Sequence, residues 1–372
     1  MLELIVISLL LLLLFFYLIF LWSIWRGLSS LPNPTSDATP FLSVIIPARN
    51  EERNIEGCLH QLVQQSYDRN NFEIIVVDDH SQDKTSQIAA RLAGSIANPK
   101  ITVVSLQDGS GKPAAIAYGI SQSRGEIILC TDADCAVATM WVESMVNCFE
   151  PGVAFVAGPV FEQASSSLLS RLQAIEYLSL TTTAAGLIGS GKPIICSGAS
   201  IGFRKSAFTL MSGFGDHASS CDDETLMQRM VLRNIGTVIF NRDASAIVST
   251  EPLSEFSEFW RQRIRWASKK GRYEDSAIFR RLLLLYCFFL ALFVTGICAL
   301  VVPILRLPVV VIVLLKVLAD WRVLSRGARL FRQPLSLGQF LIAEVFHVPY
   351  IAVAGLIGQF SSLRWKDRNL DR

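Results

Sequence analysis

The sequence predicts an α/β fold, a doubly wound sheet carried between apolar, membrane-crossing segments at both ends of the chain. Three observations lead there. From residue 41 to 130 short apolar runs alternate with helix-like stretches, the pattern of strand–helix–strand units whose crossovers cover both faces of a parallel sheet. Carboxylates follow several of those runs directly, at the strand ends where such sheets bind ligands. The excess of apolar residues is concentrated at the two ends, in runs long enough to cross a hydrocarbon core of about 30 Å.

Residues 4–25 form an apolar stretch too long for the core of a cleaved signal, and it lacks a basic start, so an uncleaved anchor is expected. Glu3 precedes it and Arg26 follows it. The bias of basic residues toward the cytoplasmic face then places the amino terminus outside and the next domain in the cytosol. Residues 31–40, rich in proline and small polar groups, read as a linker. Strands are expected at 42–46, 74–77, 101–106 and 126–130, with helices at 55–65, 85–93 and 113–121 between them.

Residues 168–187 and 253–272 have the pattern of amphipathic helices. In the second, Phe256, Phe259, Trp260 and Ile264 recur at helical spacing, with Arg261, Arg263 and Arg265 taken as the opposite face. A core-facing stripe and a helix lying on a bilayer both satisfy that pattern, and its place just before Leu282 favours the bilayer. Residues 282–302 are a second expected span, and 308–318, containing Lys316, a shorter third. The basic stretch 322–332 is cytosolic by the same bias. The last apolar run, 340–360, contains Pro349, Glu344 and His347. A full span and a re-entrant pair of half-helices broken near Pro349 are both open. Ionisable groups at that depth function or pair with one another.

With 51% hydrophobic residues and a mean hydropathy of +0.41, the composition excludes an ordinary soluble enzyme of this length. The net charge of +2 is small, and the basic residues flank apolar segments, so an anionic membrane face is the expected partner and nucleic acid is not. Eight cysteines without a CxxC pair indicate neither a zinc site nor a disulfide framework. No G-x-G-x-x-G follows the first strand, which argues against a dinucleotide dehydrogenase.

Four clusters stand in fixed order along this frame: Asp78-Asp79, Asp132-Ala133-Asp134, Asp222-Asp223 and Gln262-Arg263-Ile264-Arg265-Trp266. Singly each is weak, because a carboxylate at a strand end caps a helix or closes a turn as readily. As an ordered series they resemble the D, DxD, D, QxxRW motifs of membrane-bound inverting glycosyltransferases of family 2, which include cellulose, chitin and hyaluronan synthases and ceramide glucosyltransferase. The resemblance covers residues 41–272. It implies a GT-A fold with a mixed sheet, a nucleotide diphosphate sugar as donor, foremost a uridine diphosphate sugar, and Mg²⁺ or Mn²⁺ as cofactor.

Residue by residue, the resemblance implies that Pro47, Arg49, Asn50, Glu51 and Asp79 hold the base and ribose, and that Lys112, after Gly109-Ser110-Gly111, approaches the nucleotide. Asp134 is implied as a metal ligand and Asp132 as a ligand of ribose or metal. Oxygen donors suit a hard divalent cation, which often takes only one or two ligands from protein. Asp223 is the implied general base, with Asp222 beside it, and such a base works only if its pKa lies near the working pH. Residues 196–200 match the acceptor-side loop. Gln262 belongs to the last motif. Arg263 and Arg265 are expected to grip diphosphate oxygens in bidentate fashion, and Trp266 to offer a flat face to a sugar or lipid. A helix cap for Asp223 and a solvated basic face for the arginines are the competing accounts.

The expected function is therefore metal-dependent, inverting transfer of a sugar in β linkage to a membrane-associated lipid or short glycan, as in cell-envelope biosynthesis. Polymer synthesis comes second, with a partner subunit or oligomer, since three apolar segments after the catalytic region are few for a polymer channel. A non-catalytic scaffold comes third, against an intact acidic series. The expected organisation is an anchor at 1–26, a linker at 27–40, a GT-A domain at 41–252 on the cytosolic side, an interface helix at 253–281, a transmembrane or re-entrant region at 282–363 and a basic tail at 364–372.

Overall fold

The computed structural model describes residues 1–33, 36–163, 165–214, 222–268, 273–360, 363–365 and 368–370. The side chains of Asp222 and of residues from 360 onward, those of the expected basic tail among them, lie outside what is described. In chain order come α1 (Leu2–Gly27), β1 (Leu42–Ala48), α2 (Ile55–Val63), β2 (Phe72–Asp78), α3 (Thr85–Ser95), β3 (Lys100–Ser105) and α4 (Lys112–Gln122). Then follow β4 (Ile127–Cys130), β5 (Cys135–Val137), α5 (Trp141–Val146), β6 (Val153–Ala157), β7 (Val160–Glu162), α6 (Leu168–Gly189), β8 (Ile201–Arg204), α7 (Lys205–Leu210) and α8 (Asp222–Leu232). The chain continues through β9 (Thr237–Phe240), β10 (Val248–Thr250), α9 (Phe256–Ala267), α10 (Ser276–Val301), α11 (Arg306–Leu330) and α12 (Leu337–Phe360).

Two compact units result. One comprises Ser29–Gln163 and Thr183–Glu251 and is built on a seven-stranded sheet of order β3-β2-β1-β4-β8-β6-β9. The first four strands run parallel, as the alternation predicts. β8 runs antiparallel to both β4 and β6, so the whole sheet is mixed. β1 and β2 are almost wholly buried along their length, because helices cover both faces. α4 rides directly on them: a Cβ on Gly119 would stand 2.7 Å from Ile45 Cγ2 and 3.0 Å from Val77 Cγ2, a closeness that glycine alone permits. Each fully buried Ile or Val of these strands contributes about 1.5–3 kcal/mol. The register pairs Ala48 with Asp78, and the Asp79 amide donates to Ala48 O at 2.8 Å, so the loops leaving β1 and β2 start side by side.

The other unit comprises Met1–Leu28, Ala164–Thr182 and Pro252–Arg372. Among its described residues three helices are long and apolar enough to cross a membrane: Leu2–Gly27, Ser276–Val301 and Leu337–Gln359. α11, which contains the expected short span 308–318, is not one of them, since Lys316, Asp320 and its arginines interrupt the apolar run. α12 is helical from Leu337 to Phe360 with Pro349 inside it. α1 buries Leu10, Leu13, Leu14, Tyr17, Leu21 and Ile24 at helical spacing and leaves Leu4, Ile5, Leu9, Leu12 and Phe15 exposed, a surface suited to lipid.

Midway along these helices the ionisable groups meet one another. Lys316, 1% exposed, donates to Asp320 Oδ2 at 2.7 Å and to Glu344 Oε2 at 2.6 Å, and its Nζ lies 3.2 Å from His347 Nδ1. Tyr17 of α1 donates to Asp320 Oδ1 at 2.6 Å. Of the two roles open from sequence, mutual pairing is the one observed.

Candidate active site

The nucleotide-side residues lie where the parallel strands end. Asn50 and His80, in the loops after β1 and β2, both adopt left-handed backbone conformations, with φ of 53° and 57°. The two loops are stitched together: the Asn50 amide donates to Ser81 Oγ at 3.0 Å, the Gln82 amide to Asn50 Oδ1 at 2.8 Å, and the Glu51 amide to Thr85 Oγ1 at 2.7 Å. Arg49 follows Pro47 at the end of β1, and its Nη1 donates to Asp79 O at 2.8 Å. It is nearly buried, and by that bond it joins the loops after β1 and β2. Asp79, 3% exposed, accepts from the Gly111 amide at 2.9 Å and thereby holds the loop that delivers Lys112. Lys112 is the first residue of α4.

Asp132 and Asp134 follow β4 and precede β5. Lys112 forms an ion pair with Asp132. The ligand atoms of Asp132, Asp134 and Cys135 lie within 4.8 Å of one another, close enough to hold one cation. Burial pushes the Cys135 thiol well above its ordinary value and those of Cys58 and Cys130 up to about 12, so these are neutral thiols. The donors suited to a hard ion are the two carboxylates, and they fit Mg²⁺ or Mn²⁺.

A third segment closes on the same place. A Cβ on Gly198 would stand 2.9 Å from Lys112 Nζ and 3.0 Å from Asp223 Oδ2, so the ammonium and the carboxylate face one small space that glycine leaves open. Asp223 is half-buried in the first turn of α8, and its Oδ1 accepts from the Glu224 amide at 2.9 Å. The geometry thus brings together Lys112, Asp132, Asp134 and Asp223 from three distant stretches of sequence.

The QxxRW stretch lies on α9 in the helical unit. Arg263 is 1% exposed and donates through Nε and Nη2 to Glu176 Oε2 at 3.0 and 2.6 Å. Burial opposes its charge, but the Glu176 carboxylate outweighs that and holds the guanidinium above its ordinary pKa. The expectation that Arg263 grips a diphosphate is therefore corrected: its donors are committed inside the protein. The error lay in the helical wheel, because Phe259, Arg263 and Trp266, four and three residues apart, share one face. Arg265 and Trp266 are half-buried, and the Trp266 ring lies 6.2 Å from that of Tyr177. Glu176 and Tyr350 were not singled out from sequence. The available signal was a lone charged residue within the otherwise uncharged 172–187.

Comparison with known proteins bears on the family and the fold. The model of glycosyl transferase family 2 matches residues 43–210, and that of glycosyl transferase family group 2 matches residues 127–324. The chain is 40% identical over 122 residues to glycosyltransferase AglE of Haloferax volcanii, covering 32% of this chain and 40% of that protein. It is 30% identical over 233 residues to the probable glycosyltransferase YdaM of Bacillus subtilis, covering 61% and 54%. With the poly-beta-1,6-N-acetyl-D-glucosamine synthase of Staphylococcus aureus it shares 27% identity over 267 residues, covering 68% and 60%. The chain thus spans about half the length of the curated relatives it matches. Its fold is similar to that of the mannosyltransferase PcManGT from Pyrobaculum calidifontis, solved in complex with GDP-Man and Mn²⁺, with a TM-score of 0.64 at 20% identity over 96% of this chain and 99% of that one. Since the second family model takes in more than half of the residues, and the mixed sheet is that of a solved glycosyltransferase, the chain belongs to glycosyl transferase family 2.

Proposed function

We propose that the protein transfers a sugar from a nucleotide diphosphate donor to a membrane-associated lipid or short glycan, with inversion at the anomeric carbon. The observation that carries this reading is the meeting of Lys112 and Asp223 about Gly198, with Asp132 paired to the same lysine. The paired loops after β1 and β2, with Asp79 beneath them, form the seat for base and ribose. Lys112 answers the charge of the diphosphate, exchanging its pairing with Asp132 for phosphate oxygens. Asp132 and Asp134 would hold Mg²⁺ or Mn²⁺, which when bound stabilises negative charge on the departing diphosphate. Asp223 accepts the proton of the acceptor hydroxyl as its oxygen bonds to the anomeric carbon, and the electrons of the breaking carbon–oxygen bond leave with the diphosphate. One base and one leaving group on opposite sides of the sugar give inversion.

In this reading residues 41–252 supply the catalytic domain on the cytosolic side, 253–281 the interface helix, and the apolar segments the anchorage. The GDP-Man and Mn²⁺ bound by the similar mannosyltransferase support a nucleotide sugar and a divalent cation, with guanosine diphosphate sugars standing beside uridine ones. A second reading, polymer synthesis with a partner subunit or oligomer, draws support from the staphylococcal synthase among the relatives. The test is incubation of the purified full chain in lipid nanodiscs with UDP-glucose, UDP-N-acetylglucosamine, UDP-galactose and GDP-mannose, together with vesicles of bacterial lipid extract. Product masses should show one lipid raised by a single sugar. A ladder of masses would favour the polymer, and no consumption of any donor would sink the reading.

A further inference from the structure

Gln262, Arg265 and Trp266 carry the family motif, while Arg263 occupies one of its unspecified positions and Glu176 and Tyr350 lie far from it in sequence. The structure nevertheless centres the motif on Arg263. Its Nη1 donates to the Gln262 side-chain oxygen, and its guanidinium lies 4.4 Å from the ring centre of Phe259 and 4.5 Å from that of Trp266. Its remaining donors meet Glu176 Oε2. The other oxygen of Glu176 accepts from the Tyr350 hydroxyl at 2.9 Å, and the Tyr350 ring lies 6.1 Å from those of Phe259 and Trp260. One planar, five-donor group therefore sets both the Gln262 amide and the Trp266 ring, and α6 and α12 set that group in turn. A lysine could offer the charge but neither the fork nor the flat faces.

We propose that Arg263, held by Glu176 and Tyr350, is the positioning residue of this segment: it fixes the Trp266 face and the Gln262 amide in the orientation that receives the acceptor. What Trp266 meets rests on the glycosyl-transfer reading; its orientation by Arg263 does not.

The experiment uses the full chain in nanodiscs with Glu176→Gln, Glu176→Asp and Tyr350→Phe. Trp266 emission is isolated as the difference between each protein and the same protein carrying Trp266→Phe. In Glu176→Gln that difference emission should shift and become more open to acrylamide quenching. With UDP-N-acetylglucosamine or GDP-mannose and lipid-extract vesicles, label transferred to lipid relative to label released to water should fall about tenfold, the scale of a misplaced substrate contact, with the donor KM unchanged. Glu176→Asp should restore most of both signals. Tyr350→Phe, which removes one hydroxyl and leaves the packing, should move both in the same direction by less, and it decides the matter if Glu176→Gln does not fold. Unchanged emission and an unchanged transfer-to-hydrolysis ratio in the folded variants would overturn the proposal. A wild-type protein that consumes no donor would defeat the glycosyl-transfer reading instead, and the emission arm alone would then decide the positioning role.

Discussion

Asp134 is exposed and stands beside Asp132, which Lys112 already neutralises, so Asp134 is the carboxylate most open to a cation. Asp134→Ala should abolish transfer and weaken donor binding in Mg²⁺ or Mn²⁺, because the diphosphate would lose its bridging ion. Titration calorimetry with each donor checks it, and full turnover of wild type in excess chelator would refute the metal assignment. Asp223 answers to a different measurement. Asp223→Asn keeps the shape against Gly198 and the acceptance from the Glu224 amide but cannot take a proton. Turnover should fall by about 10²-fold or more, the range for losing a general base, while donor affinity stays nearly intact. A collapse of affinity together with rate would assign Asp223 to binding. Asp132 and Asp134 were legible because their cluster comes just after the apolar run 127–130, whereas Asp223 was singled out only through its place in the ordered series. Arg263 was misread because its partner Glu176 lies on another helix, which no spacing within residues 253–272 reveals.

At the scale of elements, the parallel part of the sheet was legible from alternation, whereas the reversal at β8 was not, since the direction of a four-residue strand after the long helix α6 depends on where the chain re-enters the sheet. Only the family resemblance carried the mixed character. Pro349 leaves a full span and a broken helix both open from sequence, and α12 is helical on either side of it where it packs against the neighbouring helices α10 and α11. α11 and α12 are joined at mid-length by Lys316, and its removal is the sharpest test of their packing. Lys316→Met should leave Asp320 and Glu344 as two carboxylates facing each other without a cation, at a cost of about 3–5 kcal/mol, the range for breaking a buried pair. Adding Glu344→Gln to it should recover part of that loss by removing one of the two charges. Thermal unfolding of the detergent-solubilised proteins reads both, and equal stability of Lys316→Met and wild type would show that the cluster holds nothing together.

At the scale of the molecule, the anchor before the sheet-bearing unit and the helices after it were visible as apolar runs, and three of the described helices have the length and composition to cross a membrane. Residues 164–182 group with the helical unit, where Glu176 pairs with Arg263 of α9 and accepts from Tyr350 of α12. The proposed cytosolic side of the sheet-bearing unit draws its support from charge: Arg26 closes α1, and Arg322, Arg326 and Arg329 crowd the end of α11, an arrangement that favours the cytosolic face for those ends. Nucleotide sugars are made in the cytosol, so the proposed chemistry requires the same side. Cysteines placed singly at Asn70 and Asn98, both on exposed loops of the sheet-bearing unit, report on it. In intact cells an impermeant maleimide should leave both unmodified beyond the wild-type background, to which the exposed Cys298 contributes, and should label them readily once the cells are opened. Ready labelling of both before lysis would put the unit outside, away from its donor, and the transfer reading would have to be abandoned.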